Sequence, residues 1–248
     1  MLGLSNGVGY TGEDISDITP PSSYSMAFDG TGDMLTFTET SFPIELTGED
    51  LSISFWCKRT DNNDEAVILG NSDTASYKRL NFDSDGDRLY IEGDQNGEYA
   101  YGAVTADTNW HHYVVSHLGY GSGSGGIGEV IMYEDGAAVT TCNTAGGGCN
   151  FGNKQDKDFT INRIGADSGS GTEFKGLLYQ LVIFKLVLTD DVVTAMYNGG
   201  TPISLDNMVG ISHFWKFSEN TGSTTADSVG SLTATLAGNA AFSEDVPE

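Results

Sequence analysis

From Tyr24 to Leu188 apolar and polar positions exchange in short runs separated by clusters of Gly, Asn, Asp and Ser. A strand shows alternate side chains to opposite faces, whereas a helix repeats its apolar stripe every three to four residues. The two-residue period dominates. It predicts strands at 25–28, 34–37, 51–58, 66–70, 78–83, 88–93, 100–104, 112–118, 128–134, 137–141, 159–164 and 176–185. The punctuation between them is turn chemistry: Ser84-Asp85-Gly86-Asp87 and Glu134-Asp135-Gly136 each join two runs, and Asn96-Gly97 is the pair that tolerates the left-handed backbone of a tight hairpin. One short helix is predicted at 189–197, where Thr189 can cap a turn opened by Asp190 and Asp191 and Asn198-Gly199-Gly200 ends it. Many strands, sharp turns and a single helix predict an all-β antiparallel sandwich.

The 248 residues fit one such domain. Residues 1–23 are polar and aperiodic and close on Pro20-Pro21, so they read as an extended arm. Such an arm is expected to pack along its own sandwich or against a neighbouring chain. Residues 24–248 are then the sandwich, with 205–248 supplying its closing strands.

Charge narrows the partners. Thirty-five acidic against 11 basic residues give a formal net charge of -24, a field that repels phosphate backbones and anionic lipid. Nucleic acid and membrane are therefore not expected partners. The same acidity suits either solubility or attraction of cations such as calcium. The start MLGLSNGVGYTGEDISD has neither the basic residues nor the apolar stretch of a secretion leader. The apolar run 176–188 is broken by Gln180 and Lys185 and is too short for a membrane span. Cys57 lies in an apolar strand and reads as an inert core thiol. Cys142 and Cys149 flank Gly146-Gly147-Gly148 and are either a small loop disulfide or two free thiols.

Four segments also carry a resemblance. LTGEDLSISFWCKR (46–59), TNWHHYVVSHLG (108–119), GEVIMYEDGAAV (128–139) and INRIGADSGSGTEFKGLLYQLVIFKLVLTDDVVTAMYNGG (161–200) resemble, in order, the signature strands of laminin G-like domains. The resemblance implies a concanavalin A-like jelly roll. The segment HFWKFSENTGSTTADSVGSLTATLAG (213–238) opens the domain in many members and closes it here, which implies a circularly permuted order. The layout is similar to structural proteins of tailed bacteriophages, especially marine ones. That similarity implies a non-catalytic virion component (tail fibre, spike or capsid decoration) on an extracellular particle assembled in the host cytoplasm. Its expected partners are host glycans, other virion proteins and further copies of itself met through the arm.

Four chemistries compete for the candidate residues. Glycoside hydrolysis or lyase activity, known on this architecture, would use Glu92, Asp94 and Glu98, but retaining chemistry needs two carboxyls about 5 to 5.5 Å apart in one cleft. The Gln95-Asn96-Gly97 turn sends Glu98 to the next strand, so no enzyme is expected. The resemblance places a calcium rim at Asp29 and Asp33 in FDGTGD, though Tyr179 stands where relatives add an aspartate. His111 and His112 point to opposite faces and cannot share a substrate; His117 and His213 have no Ser, Cys or Asp motif beside them. Tyr99, Tyr101 and Tyr120 lie near polar or Gly-rich loops and can form either a sugar-stacking platform or ordinary strand and turn surface. Trp56, Trp110 and Trp215 read as core residues.

Overall fold

The computed structural model of the protein describes residues 22–37, 42–45, 50–60, 65–72, 78–94, 98–118, 129–142, 158–169 and 171–248. Almost all of the expected arm, Tyr120 and Cys149 lie outside the described residues. The strands run β1 (Ser25–Asp29), β2 (Met34–Phe37), β3 (Phe42–Glu45), β4 (Leu51–Arg59), β5 (Ala66–Gly70), β6 (Arg79–Phe82), β7 (Arg88–Asp94), β8 (Glu98–Ala103) and β9 (Trp110–Leu118). They continue as β10 (Glu129–Glu134), β11 (Ala137–Ala138), β12 (Thr141–Cys142), β13 (Asp158–Ile161), β14 (Arg163–Ile164) and β15 (Lys175–Phe184). After helix α1 (Asp190–Tyr197) come β16 (Ile211–Trp215), β17 (Thr224–Ala226), β18 (Thr233–Ala237) and β19 (Ala241–Ser243).

These strands form two antiparallel sheets. The first runs β11-β10-β9-β4-β15-β1-β19 with β16 also on β15; the second runs β12-β8-β7-β6-β5-β14-β2-β18-β17. A separate ribbon pairs β3 with β13. The fold is thus the concanavalin A-like sandwich. Residues 205–248 contribute to both sheets: Phe242 pairs with Met26, Leu236 with Leu35 and Phe214 with Val182.

Between the sheets lies one core, including Met26, Leu35, Phe55, Phe82, Ile91, Tyr113, Trp215 and Phe217. A second apolar cluster lies on the other face of the first sheet, where Val114, Tyr133, Val182, Phe184 and Phe214 meet Val192, Val193 and Met196 of α1. The first sheet is therefore buried on both faces. This is why β4 and β15 are buried along almost their whole length, Ser52 and Ser54 included, while β6 and β7 alternate apolar and polar side chains: a strand covered on one side only keeps a polar face.

The double covering corrects the tryptophan reading. In β4, Ile53, Phe55 and Cys57 enter the sandwich core. Trp56 is also buried, but on the opposite face, its ring 5.0 Å from His112 and 5.8 Å from Tyr197 at the end of α1. Trp110 is only half-buried and donates its indole N–H to Asp245 Oδ1 at 2.9 Å; of the three, Trp215 alone fills the core between the sheets. Thr189 occupies the N-cap position of α1, yet its hydroxyl makes no capping bond. The helix is held from the side instead, by Tyr133 donating to Asp190 and Thr194 donating to the Gly136 carbonyl.

Candidate functional site

The outward side of the second sheet is the polar face of the molecule. Cross-strand register places one residue from each of eight strands in a single row: Thr224, Thr235, Thr36, Arg163, Gly70, Arg79, Glu92 and Tyr99. Asn81, Tyr90 and Tyr101 form the next row on the same face. Alternation does this directly, because Leu80, Phe82, Leu89, Ile91 and Ala100 take the inward positions between them.

At one end of the face three tyrosine rings meet. Tyr90 lies 5.1 Å from Tyr101 and 5.7 Å from Tyr99, and the Arg88 guanidinium sits 5.2 Å over Tyr101. All three rings are half-buried, so each keeps a flank toward solvent. Sequence reasoning named Tyr99 and Tyr101 but missed Tyr90. An Asn96-Gly97 turn counted on in register would set Tyr90 opposite Ala103; the register shift between Glu92 and Asp94 is what brings Tyr90 opposite Tyr101, and no local pattern announces it.

Beside the rings stands an ion cluster. The Arg79 guanidinium contacts Glu65 Oε1 at 2.6 Å, Glu92 Oε2 at 3.0 Å and Asp167 Oδ2 at 3.3 Å. Asn81 donates Nδ2–H to the same Glu65 oxygen at 3.1 Å. Asp167 reaches the cluster because Gly70 lets the following chain pass close above it: a Cβ at Gly70 would come within 2.5 Å of the Ala166 carbonyl. Burial holds the Glu65 carboxyl above its ordinary range; Arg79 pulls it down, and Glu92 and Asp167 push it back up. Arg79, Glu65 and Asp167 were not foreseen, because they are separated in sequence and meet only through the register of β5, β6 and β14.

The other candidates fall elsewhere. Asp94 pairs with Glu98 across β7 and β8, so Glu92, Asp94 and Glu98 do not line one strand, and Glu92 is engaged by Arg79. Asp29 and Asp33 stand together on the β1–β2 turn. Asp33 is fully buried; its Oδ2 accepts from Asp29 N–H at 2.6 Å and its Oδ1 from Asn239 N–H. Asp29 accepts from Thr31 N–H at 2.8 Å and Asn239 Nδ2 at 3.0 Å. All four carboxylate oxygens thus face N–H donors. These bonds make the pair a clamp between the turn and the chain before β19; a hard cation would have to share the oxygens with those donors.

Two histidines have partners the sequence did not reveal. His213 Nδ1 lies 2.6 Å from Asp227 Oδ2, and His111 bridges Asp135 at 2.7 Å and Asp107 at 3.0 Å. His112 is buried against Ser54 Oγ at 2.9 Å on the opposite face from His111, as alternation required. Burial pushes the Cys57 thiol up to about 12, which makes it inert. The side chain of Cys142 and all of Cys149 lie outside the described residues.

Two facing sheets, one polar and half-open with clustered rings, define a lectin-type β-sandwich. The chain belongs to the laminin G-like branch of the concanavalin A-like lectin/glucanase superfamily, whose sequence model matches residues 29–194. Among solved structures it is similar to a Bacteroides ovatus protein provisionally assigned to carbohydrate binding, at 14% identity and a TM-score of 0.61, covering 90% of this chain and 60% of that one. It spans less than two thirds of that structure. A heptameric pentraxin from Limulus polyphemus is 13% identical with a TM-score of 0.49, covering 88% of this chain and 97% of the other. A binding domain of botulinum neurotoxin DC, solved with rat synaptotagmin II, is 14% identical with a TM-score of 0.43, covering 62% and 36%. No curated protein matches the sequence.

Proposed function

We propose that this protein is a non-catalytic glycan-binding module that holds a polysaccharide across the polar face of its second sheet. The observation that carries the reading is the trio Tyr90, Tyr99 and Tyr101 with ring centroids within 6.3 Å of one another, set beside the cross-strand polar pair Arg79 and Glu92. Sugar rings stack on aromatic flanks through C–H groups while their hydroxyls need fixed polar partners, and this face offers both side by side. Binding is favoured over hydrolysis because Glu92 is spent on Arg79.

The setting of the module rests on sequence resemblance. We assign it to a tailed-bacteriophage particle, where residues 1–23 would join it to other virion proteins or further copies and leave the polar face toward host glycans. The reading is tested by measuring binding of labelled protein to a panel of bacterial surface polysaccharides, with wild type and with Tyr90→Ala, Tyr99→Ala and Tyr101→Ala. Selective, saturable binding lost in the tyrosine variants supports it; no binding by folded wild-type protein overturns it.

A further inference from the structure

The Arg79 cluster is more acidic than the guanidiniums beside it can balance. Three carboxylates, Glu65, Glu92 and Asp167, touch Arg79, and the second positive charge, Arg163, donates to the Asp167 carbonyl and not to a carboxylate. Glu65 and Glu92 remain partly exposed, with 32% and 20% of their side-chain surface open, while Asp167 is sealed at 2%. A half-buried excess of negative charge is screened less than a surface one and attracts a cation more strongly.

A second observation points the same way. Asn81 is 1% exposed, and its amide belongs to the cluster through the Nδ2–H donated to Glu65. Among the described residues, the Oδ1 of that amide has no hydrogen-bond partner. A buried amide oxygen without a donor is left with its desolvation uncompensated. The cluster therefore offers acceptors of both kinds, charged and neutral, and what would complete it is a donor.

Aromatic placement adds the third element. Tyr99 is the cross-strand partner of Glu92, so an aromatic side chain neighbours that carboxylate on the same face of the sheet. Ring face plus carboxylate is the combination that recognises an ammonium, by cation–π attraction on one side and charge-assisted hydrogen bonds on the other. A neutral hydroxyl would use the hydrogen bonds but leave the excess charge unbalanced.

We infer that the cluster of Glu65, Glu92, Asp167 and Asn81, bordered by Tyr99, is a subsite for a protonated amine, and that the glycan held on this face is an amino-sugar polymer with free amino groups. The inference rests on the glycan-binding reading above and adds the chemical class of the ligand. The overall charge of -24 favours the same choice by enriching polycationic chains near the surface.

The test uses three soluble probes of equal length, hexamers of glucosamine, N-acetylglucosamine and glucose, titrated calorimetrically at about pH 6, where an amino-sugar amine carries its proton. The full chain is compared with Glu65→Gln, Glu92→Gln, Tyr99→Ala and the exposed control Glu244→Gln, each checked for an unchanged melting curve. The glucosamine hexamer is expected to bind wild type at least about tenfold tighter than either neutral hexamer. Glu65→Gln should erase most of that margin without moving the neutral affinities, Glu92→Gln should erase it while also weakening the neutral hexamers, and Glu244→Gln should change neither. Equal affinity for all three hexamers overturns the ammonium subsite, as does a glucosamine preference that the two glutamine variants leave as intact as Glu244→Gln does. Neutral binding that disappears in Tyr99→Ala would retain the glycan-binding face while rejecting its amine specificity. Absence of binding by all three hexamers overturns the subsite, and only failure on the wider polysaccharide panel overturns the face.

Discussion

Two neighbouring histidines sit in opposite electrostatic worlds because strand alternation sends them to opposite faces. The hydrogen bond to Asp135 raises His111 to about 9; burial opposes the rise, and the Asp135 and Asp107 charges reinforce it. Burial alone drives His112 down to about 4, against a small pull from Asp135. The linkage signs follow. His111 is charged in the fold, so its contribution is full below its ordinary value of 6.5 and is lost as pH rises through about 9. His112 is neutral in the fold, so its contribution is full above 6.5 and is lost as pH falls through about 4. Each spans about 3 kcal/mol, and stability from this pair should be greatest near pH 6.5. Thermal melts of His111→Gln should lose the alkaline decline, and those of His112→Gln should lose the acid one. Two declines that persist unchanged in both variants would refute this account.

Asp33 makes a second case at the same scale. Its carboxylate is closed in by backbone N–H donors, and a Cβ on Gly238 would lie 2.5 Å from its Oδ1 at a backbone φ of +69°. Gly238→Ala is therefore strained twice and should cost roughly 2 to 4 kcal/mol in a denaturant melt. Because every oxygen of this clamp already accepts an N–H bond, millimolar calcium or a chelator should leave the wild-type melting temperature where it is. A calcium-dependent rise lost in Asp33→Asn would restore the rim as a metal site.

At the scale of elements, the strands with plain alternation were readable and those defined by tertiary pairing were not. β2 and β5 match the predicted bounds, and most others differ by a residue or two. Pro43 hid β3, since proline lacks a ladder donor and is tolerated only at an edge or in a ribbon, which is where β3 lies. β16 to β19 are short and polar-flanked, and their identity comes from the neighbours they complete. The midpoint of β15 was also illegible. Gln180 has a φ of +50°, the register against β4 shifts between Tyr179 and Val182, and β15 changes partner there from β1 to β16. No local pattern announces a left-handed glutamine; the buried bond from its Nε2 to the Ile203 carbonyl at 2.9 Å is what holds it. The candidate site was half-legible for the same reason. Tyrosines beside a recognisable hairpin can be named from sequence, but a cluster assembled from Glu65, Arg79, Glu92 and Asp167 needs the sheet order.

Edge strands need protection from stray pairing, and here carboxylates provide it. Asp227 accepts Phe214 N–H on the free side of β16, together with Val229 N–H, Gly230 N–H and His213. Burial would raise its pKa, but these four bonds outweigh it and hold Asp227 below the ordinary carboxylate range. Asp227→Ala strips three backbone donors of their acceptor and should cost about 3 kcal/mol, a fall of roughly 6 to 12 °C for a domain of this size. His213→Ala, which removes one bond and leaves the edge capped, should cost markedly less. Equal losses in the two variants would mean the cap is not what Asp227 contributes.

For the whole molecule, the two ends of the described chain converge on one pole. Tyr179 Oη accepts from Ser22 N–H at 3.2 Å and donates to its carbonyl at 3.1 Å. Ser25 Oγ donates to the Asp245 carbonyl at 2.6 Å, and the Asp245 carboxylate takes Lys58 at 2.6 Å. Both ends lie against the first sheet, while the polar row belongs to the outward side of the second, so attachment at the ends leaves the candidate site clear. The convergence also allows the order of the chain to be changed without changing its pairings. A variant opened between the exposed Asp206 and Asn207, with residue 248 joined to Ser22 by a short Gly-Ser linker and residues 1–21 omitted, begins with β16–β19 and ends after α1. All of the sheet contacts survive, because loop closure between adjacent ends costs little and changes slowly with linker length. This permuted chain should give the same far-ultraviolet spectrum and a melting temperature within several degrees of the parent, and it should bind the same glycans through Tyr90, Tyr99 and Tyr101. Deleting 207–248 without reconnecting them should instead leave an insoluble chain, since Trp215 and Phe217 leave the core and β1 and β2 lose their β19 and β18 neighbours. A soluble, cooperative fold from the deleted chain would show that the C-terminal strands form a unit of their own and are not part of the sandwich.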